Sequence, residues 1–344
     1  IMALLPLLFS VTRLWLLLLA ALTMAVVGGE VQPSLPEALD PEKTSFAFTR
    51  SIELHANGGG GGNDSDLDLL RGERLDNWTR WEFRAVVDQP TECFVRDLLS
   101  RLELFDAGGG RFRVEQLLAQ FKQYRSFLNC TQIQVDDLSA KLEQYDNLRS
   151  CSSVFEAFRQ AILPSIGVFR QLFILDPNTS EVVYSSLGPS IRQPNQSVFE
   201  FCENQFYQNK LDVWCAARNY SIPNDEDFHK HMDCIFIMLR YFDKKGGIDV
   251  LEICRDFHQV GMTQLDDGIS EMLRLCIVDS ETKALSYYRC LLESTFLDQF
   301  KEALDYREVR SSDYWYALVD PEPVYDRDQV QLRISAVNSE YCSH

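Results

Sequence analysis

Two acidic residues three positions apart, Asp305 and Glu308, are the strongest candidates for chemistry in this chain. They lie in the segment EALDYREVRSSDYWY, where a helix is predicted, and residues three apart on a helix share a face. If that face points inward, the two carboxylates can accept charge-assisted hydrogen bonds from an ammonium group. If it points outward, they are solvated charges, which is the more common state of acidic residues. The residues alone favour the solvated face and leave the ammonium site open.

Metal binding and catalysis are not supported by the spacing of the polar residues. The stretch YFDKKGGIDVLE, residues 241–252, looks like a calcium loop, but counting from Asp243 puts Lys245 at the third ligand position. It is interpreted as a glycine-rich turn between two helices. His229 and His231 are two residues apart, which points their rings in different directions on a helix, so no zinc site is predicted. The chain contains no Gly-X-Ser-X-Gly motif, phosphate loop or dinucleotide motif, and no enzyme activity, metal or cofactor is expected.

The elements that position these residues belong to an internal repeat. The segments ELFDAGGGRFRVEQLLAQF, residues 103–121, and RYFDKKGGIDVLEICRDF, residues 240–257, share a Phe-Asp pair and a glycine cluster. In both, a Glu then precedes an amphipathic helix. The chain is therefore interpreted as a duplicated helical domain.

The two copies differ at the positions of one cysteine pair. Their alignment places Ser51 opposite Cys202 and Asp97 opposite Cys234. In each case the first copy has lost a cysteine that the second copy keeps. The loss of one disulfide from the first domain leaves this pattern.

Apolar periodicity predicts an all-α fold. The predicted helices of the first copy span residues 44–54, 77–87, 92–103, 114–123, 136–145 and 152–161. The glycine-rich stretch 57–66 has few side chains able to pack and is expected to be a flexible loop. A second set of helices runs from near Phe199 to Arg310, after which Pro321 and Pro323 indicate an irregular ending.

A proline-rich segment separates the two copies. Residues 173–195 contain Pro177, Pro189 and Pro194, and prolines at this density rarely permit a continuous helix. The domain boundary is placed here, which gives an N-terminal domain over residues 30–175 and a C-terminal domain over residues 176–344.

Composition indicates a secreted protein. Residues 1–28 combine a basic flank, an apolar run and small residues, and are expected to be a cleaved secretory signal peptide. The 10 cysteines include no Cys-X-X-Cys pair, which favours disulfides over metal ligation. The formal charge of −18 argues against nucleic acid and anionic membranes as partners, and mildly favours a cationic ligand.

Several motifs resemble one protein family. FEFCENQFY, CAARNY, HKHMDC, YYRCLLESTFLDQFKEALDYREVRS and LDPEKTSFAFTRS are similar to segments of the long-form salivary D7 proteins of blood-feeding mosquitoes, relatives of insect odorant-binding proteins. The match covers nearly all of the chain after residue 28 and is densest over residues 199–311. It implies two odorant-binding-like helical domains, cross-linked by disulfides, that sequester host mediators in saliva rather than catalyse reactions. A monomer is expected.

The resemblance implies an amine site in the second domain, with serotonin as the expected ligand. The residues that match it are Glu203, Arg218, His231, Tyr288, Asp305 and Glu308. Asp305 and Glu308 correspond to the carboxylates that hold the ligand amine. Arg218 and His231 correspond to groups near its aromatic hydroxyl, and Tyr288 corresponds to a pocket tyrosine.

The resemblance and the internal alignment together imply four disulfides: Cys93–Cys151, Cys202–Cys234, Cys215–Cys342 and Cys276–Cys290. Cys130 and Cys254 lie outside this framework. In many members of the family the first domain binds cysteinyl leukotrienes or thromboxane. Because Ser51 and Asp97 stand where relatives carry a disulfide, weak or absent eicosanoid binding is predicted for this chain.

Two functions stay open from the sequence. The first is a scavenger of biogenic amines that opposes haemostasis and inflammation, marked by an enclosed pocket lined by the residues above. The second is an acidic interaction protein that inhibits a host clotting or complement factor. An open second domain and salt-sensitive binding to a basic protein would mark the second function.

Overall fold

The computed structural model describes residues 41–56, 64–83, 88–128, 134–174, 177–194, 196–243, 246–311 and 325–342. Within those ranges most residues are helical, and the all-α prediction is confirmed. Buried apolar side chains form two hydrophobic cores, one from Ala47 to Ile174 and the other from Val198 to Ile334. The predicted boundary between residues 175 and 176 falls between these cores, and the domain limits remain a prediction.

Seven α-helices carry the first core within the described residues. They are α1 (Pro41–His55), α2 (Asp64–Arg80), α3 (Gln89–Arg101), α4 (Val114–Leu128), α5 (Asp136–Leu142), α6 (Cys151–Ala157) and α7 (Ile166–Phe173). The strands β1 (Phe105–Asp106) and β2 (Arg111–Phe112) pair antiparallel between α3 and α4. A π-helical turn, Phe158–Ile162, and a 3₁₀ turn, Leu163–Ser165, join α6 to α7.

The second half contains nine α-helices in the part of the chain that is described. They are α8 (Pro177–Leu187), α9 (Val198–Phe206), α10 (Leu211–Arg218), α11 (Phe228–Met238), α12 (Val250–Gln259), α13 (Asp266–Leu275), α14 (Lys283–Leu292), α15 (Leu297–Ser311) and α16 (Arg327–Cys342). Short 3₁₀ turns cover Gly188–Ser190 and Thr263–Leu265. Helix α15 packs against α9, α12, α14 and α16, so it lies centrally in this half.

Side-chain caps fix the start of helices around the second core. The Ser197 hydroxyl accepts a hydrogen bond from the backbone N–H of Glu200 at 3.0 Å, which begins α9. The Asp249 carboxylate accepts one from the N–H of Glu252 at 3.1 Å, which begins α12. Each cap satisfies a backbone donor that has no partner within its helix.

In both glycine turns that reveal the repeat, the aspartate carboxylate accepts a hydrogen bond from a glycine N–H of the turn. The Asp106 carboxylate accepts a hydrogen bond from Gly108 N–H at 3.0 Å, and the Asp243 carboxylate accepts one from Gly247 N–H at 2.8 Å. Gly110 adopts a left-handed φ of 70° in a place where a Cβ would lie 2.9 Å from the Leu148 carbonyl oxygen. The aspartates therefore form turns, in agreement with the interpretation of this motif.

Four disulfides cross-link the described residues: Cys93–Cys151, Cys202–Cys234, Cys215–Cys342 and Cys276–Cys290. These are the pairings that the resemblance implies. Cys215–Cys342 spans 127 residues and ties α16 to α10. A disulfide typically contributes roughly 2 to 4 kcal/mol, mainly by restricting the unfolded chain. Cys254 in α12 is reduced and buried, and Cys130 lies outside the described residues.

A hydrogen bond stands where the first half lacks its disulfide. The Ser51 hydroxyl donates to the Asp97 carboxylate at 2.9 Å, and Ser51 is fully buried. Arg101 donates to the same carboxylate oxygen at 2.7 Å. The α1–α3 contact that Cys202–Cys234 makes covalently between α9 and α11 is thus polar in the first half.

Two predictions for the first half are wrong. Helix α2 begins at Asp64, inside the stretch predicted to be a loop, and ends at Arg80 rather than continuing to residue 87. Trp81 follows it with a left-handed φ of 62°, which stops the helix. The core contact of α2 depends on a few residues such as Trp78, whose ring stacks on Phe94 at 4.1 Å, so apolar periodicity is a weak signal there.

Two predictions for the second half also differ from the structure. The proline-rich segment contains α8, because Pro177 occupies the first helical position, where a missing N–H does no harm. The ending predicted to be irregular contains α16, which begins at Arg327, after both prolines. The predicted signal peptide, residues 1–28, lies outside the described residues. No helix in the ranges that the structure describes is long and apolar enough to cross a membrane.

Candidate ligand-binding cavity

A cavity lies among α9, α10, α11, α14, α15 and α16 of the second half. All six residues implied by the resemblance line it: Glu203, Arg218, His231, Tyr288, Asp305 and Glu308. The other lining residues are mainly apolar or aromatic: Phe199, Ala217, Tyr220, Met232, Ile235, Phe236, Leu304, Ile334 and Asn338. The structure therefore brings together every residue of the predicted site, and Asp305 and Glu308 face inward.

Arg218 lines the cavity and bridges two carboxylates. Its Nη2 lies 2.6 Å from Glu203 Oε2, and its Nη1 lies 2.9 Å from Glu308 Oε1. The side chains of Arg218 and Glu203 are 4% and 2% exposed, so this is a buried ion triplet. The guanidinium thus contacts the carboxylates, whereas the resemblance implies a place near a ligand hydroxyl.

Asp305 is held by two neutral hydrogen-bond donors. The Tyr220 hydroxyl donates to Oδ1, and the Gln331 side-chain amide donates to Oδ2 at 2.8 Å. Lys301 lies over the Tyr220 ring, 5.2 Å from its centroid, and does not line the cavity. The two donors fix the orientation of the Asp305 carboxylate without neutralising its charge.

The charged groups lining the cavity are unbalanced. Three carboxylates face one guanidinium, which leaves two negative charges without a cationic partner on the wall if all are ionised. Burial raises the pKa of Glu308 to about 7, against the attraction of Arg218 and with repulsion from Glu203. Burial also raises the pKa of Glu203 and of Asp305. Burial disfavours the charged form of Arg218, but Glu308 and Glu203 outweigh it and raise its pKa.

His231 occupies an aromatic part of the wall and is neutral. Burial lowers its pKa to about 3, with a further contribution from the Arg218 charge. Its ring lies 4.8 Å from that of Tyr207 and 6.0 Å from that of Phe228, measured between centroids. Both ring nitrogens of His231 and Nε of Arg218 are buried without a hydrogen-bond partner in the described protein. Unpaired polar atoms beside aromatic rings suit a ligand that is aromatic and carries a polar substituent.

Tyr288 forms another aromatic wall. Its ring packs 6.2 Å from those of Phe228 and Phe300. Burial raises the pKa of its hydroxyl, which stays protonated. The residue therefore offers an apolar face and a neutral hydroxyl to the cavity.

The free space in the cavity is small. Its volume open to water is about 30 Å³, room for about two water molecules. A wider groove, with about 320 Å³ by the same measure, adjoins it and shares Glu308 and Ile334. A ligand with a ring system must therefore displace side chains to enter.

Three polar contributors were missed from the sequence: Tyr220, Gln331 and Asn338. Asn338 lies 3.4 Å from Arg218 Nη1. Gln331 and Asn338 share one face of α16 with Ile334, and the spacing of three and four residues between them is the helical signal that could have found them. Within the described residues, no group of His, Cys, Asp and Glu side chains is placed to hold a metal ion.

Comparisons with known proteins point to one family. The model of the PBP/GOBP family matches residues 186–294, which contain α9 to α14. Long form salivary protein D7L3 of Anopheles gambiae is 34% identical over 324 residues, covering 91% of this chain and 88% of the relative. Long form salivary protein D7L2 of Aedes aegypti is 30% identical over 338 residues, covering 95% and 98%.

Solved structures agree with these relatives. The Culex quinquefasciatus D7 long form 1 in complex with ADP has a TM-score of 0.74 at 29% identity, covering 88% of this chain and 98% of that one. The AeD7–leukotriene E4 complex has a TM-score of 0.69 at 32% identity, covering 84% and 95%. The AnSt-D7L1–U46619 complex has a TM-score of 0.75 at 26% identity, covering 89% and 98%. The chain belongs to the long-form salivary D7 proteins of mosquitoes, a family of secreted proteins that bind small molecules.

Proposed function

We propose that the cavity binds a biogenic amine, serotonin above all, with its ammonium group between Asp305 and Glu308. The protein then acts as a salivary scavenger that opposes haemostasis and inflammation in the host during blood feeding. The observation that carries this proposal is the charge imbalance: three buried carboxylates line an aromatic cavity whose wall carries one guanidinium, and that guanidinium pairs with only two of them. A monocation entering the cavity restores much of the balance.

Energetics favour a cationic ligand at this place. An ionised carboxylate taken out of water is costly unless it is paired and hydrogen-bonded. Glu308 avoids this cost by staying protonated, and so neutral, up to a pH of about 7. A bound ammonium group offsets the cost for both carboxylates, because its three N–H donors can be shared between Asp305 and Glu308 as charge-assisted hydrogen bonds.

The rest of the wall suits an indole or phenol ring. Phe199, Phe236 and Tyr288 provide aromatic surface, and the unpaired nitrogens of His231 offer a partner for a ring hydroxyl. Ligand sites of this kind combine an apolar lining with a few placed polar groups. Arg218 lines this small space and pairs with both Glu203 and Glu308, so a ring that enters meets a guanidinium held by two carboxylates.

Calorimetric titration with serotonin, norepinephrine and histamine tests the proposal. We expect Asp305→Asn or Glu308→Gln to weaken serotonin binding by roughly 2 to 5 kcal/mol, about thirtyfold to several-thousandfold in Kd, because the ligand charge loses half its compensation. Asp298→Asn, which removes an exposed carboxylate from the same helix, is the matched control and should bind as the parent does.

Two results would count against this site. If both cavity variants bind serotonin with parent affinity, the amine site lies elsewhere. If their losses stay under about 1 kcal/mol and vanish with added salt, the carboxylates act as solvated charges. Salt-sensitive binding of a basic clotting or complement protein, without amine binding, would favour the alternative of an acidic inhibitor.

A further inference from the structure

Helix α15 carries the proposed amine site on one face and charged groups on the other. Asp305 and Glu308 line the cavity. Arg307 and Arg310 each stand two positions further along, which turns them by roughly 200° around the helix axis. Both arginines are largely buried, with side chains 11% and 4% exposed. What holds these arginines therefore also fixes the rotation of the carboxylates about the helix axis.

The partners of these arginines come from both halves of the chain. The α1–α12–α15 cluster consists of Arg50 and Glu53 in α1, Glu252, Arg255 and Asp256 in α12, and Arg307 and Arg310 in α15. Tyr241 donates a hydrogen bond to Asp256 at 2.7 Å and closes the cluster on one side. Helix α1 belongs to the first core, so the cluster joins the first half to the helix that carries Asp305 and Glu308.

Glu53 of α1 contacts both α12 and α15, whereas Arg50 of α1 reaches α12 through Glu252 at 3.5 Å. The Glu53 carboxylate accepts two hydrogen bonds from Arg255, from Nε at 2.6 Å and from Nη2 at 3.0 Å. Arg310 Nη2 lies 3.8 Å from the same carboxylate. Forked pairs of this kind fix orientation as well as distance.

Glu252 and Asp256 complete the contact between α12 and α15. Glu252 pairs with Arg255 at 2.5 Å and lies 3.8 Å from Arg307. Asp256 lies 3.5 Å from Arg307. Four arginines thus share three carboxylates, and Glu53 and Glu252 each contact more than one of them. Loss of Glu53 removes the carboxylate that Arg255 and Arg310 both contact, which weakens the link from α1 to the helices that carry them.

We propose that Glu53 is a positioning residue for the amine site: from the first half of the chain it holds Arg255 and Arg310, and so sets the rotation of α15 that aims Asp305 and Glu308 into the cavity. This inference rests on the proposed function. It makes the amine affinity of the second half depend on a carboxylate that lies outside the cavity and does not line it.

Hydrogen exchange on the ligand-free protein tests the mechanical part of the inference without any amine. We expect Glu53→Gln to speed amide exchange in α12 and α15 while leaving α5 and α6 unchanged. Glu103→Gln is the matched control, since it removes an ion pair with Lys43 of similar exposure that stays within the first half. A general rise in exchange, or no change in α15, would overturn the inference.

Amine titration at a temperature where all variants are folded tests the functional part. We expect Glu53→Gln to weaken serotonin and tryptamine by the same factor, about threefold to thirtyfold, and Glu53→Asp to recover part of the loss. In an Asp305→Asn background the Glu53→Gln effect should shrink, because it acts through that carboxylate. Full additivity of the two substitutions, or parent affinity in Glu53→Gln, would refute the positioning role of Glu53.

Absence of amine binding by the parent protein would refute the proposed function, while the exchange result would still decide the role of Glu53.

Discussion

At the scale of single residues, the state of the cavity depends on where one proton lies. Glu308 has a pKa raised to about 7 by burial, whereas an alkylammonium ligand keeps its proton to a pH of about 10. Below a pH of about 7, an ammonium group that binds beside Glu308 must therefore displace the proton on that carboxyl. His231, with its pKa lowered to about 3 by burial, takes no part in this exchange near neutral pH.

We expect serotonin binding at a pH of about 6 to release close to one proton, and affinity to rise with pH until about 7. Calorimetry in buffers of different ionisation heat measures the release. Glu308→Gln should abolish it. Binding without proton release in the parent protein would show that Glu308 is already ionised before the ligand arrives.

The same group affects the stability of the ligand-free protein. Its pKa is higher in the folded state than the ordinary value of 4.5, so the folded protein binds more protons in this window. The stability that Glu308 contributes is therefore present below a pH of about 4.5 and is lost as the pH rises to about 7. Occupation of the cavity by an amine removes this loss.

A third residue-scale expectation separates the two ends of the ligand. His231→Ala should weaken serotonin more than tryptamine, because tryptamine lacks the ring hydroxyl that the unpaired His231 nitrogens can meet. Arg218→Ala should change both affinities by the same factor, since Arg218 contacts Glu203 and Glu308. Competition titrations with the two amines give the comparison. Equal losses in His231→Ala would place the hydroxyl elsewhere.

The sequence alone could propose Asp305 and Glu308, because spacing shows that they share a helix face. Which way that face points depends on the packing of α15 against four other helices, and no local pattern encodes it. Glu203, Arg218, His231 and Tyr288 came from the family resemblance. All four line the cavity, where the Arg218 guanidinium pairs with the carboxylates of Glu203 and Glu308.

At the scale of elements, the predictions drawn from prolines were wrong for two helices, α8 and α16. Pro177 begins α8, where its missing N–H does no harm, and α16 begins at Arg327, after both Pro321 and Pro323 in the sequence. The missed helix α16 supplies Gln331 and Asn338 to the cavity. Because α16 was predicted to be irregular, Gln331 and Asn338 were not included in the predicted site.

Helices α1 and α3 meet through Ser51 and Asp97, and the structure sharpens the prediction for eicosanoids. A hydrogen bond of 2.9 Å restrains α1 less than a disulfide would, so we expect weak binding of leukotriene C₄. Replacing both residues by cysteine should restore the cross-link and increase leukotriene affinity, measured by titration with the cavity variant Asp305→Asn as background. Tight, saturable binding by the parent would contradict this expectation.

At the scale of the whole molecule, the charge of −18 acts at a distance from the cavity. A cationic amine is attracted before it makes any contact, which raises its association rate. We expect the association rate constant for serotonin to fall severalfold between about 20 mM and about 500 mM salt, because added ions screen the field. Stopped-flow fluorescence measures it, and the dissociation rate should change little. A salt-independent association rate would show that entry into the small cavity limits binding.

The buried thiol of Cys254 can report on the opening of α12. It lies on α12 next to Arg255 and two residues before Asp256, and it is buried and reduced. Burial raises its pKa to about 11, so it reacts slowly while α12 stays packed. In a Cys130→Ala background, the rate at which Cys254 is alkylated reports how often α12 opens. An amine that stabilises the packing of α15 should slow this alkylation, so a thiol-reactive dye can follow communication between the halves of the chain at a cysteine that the native sequence already contains.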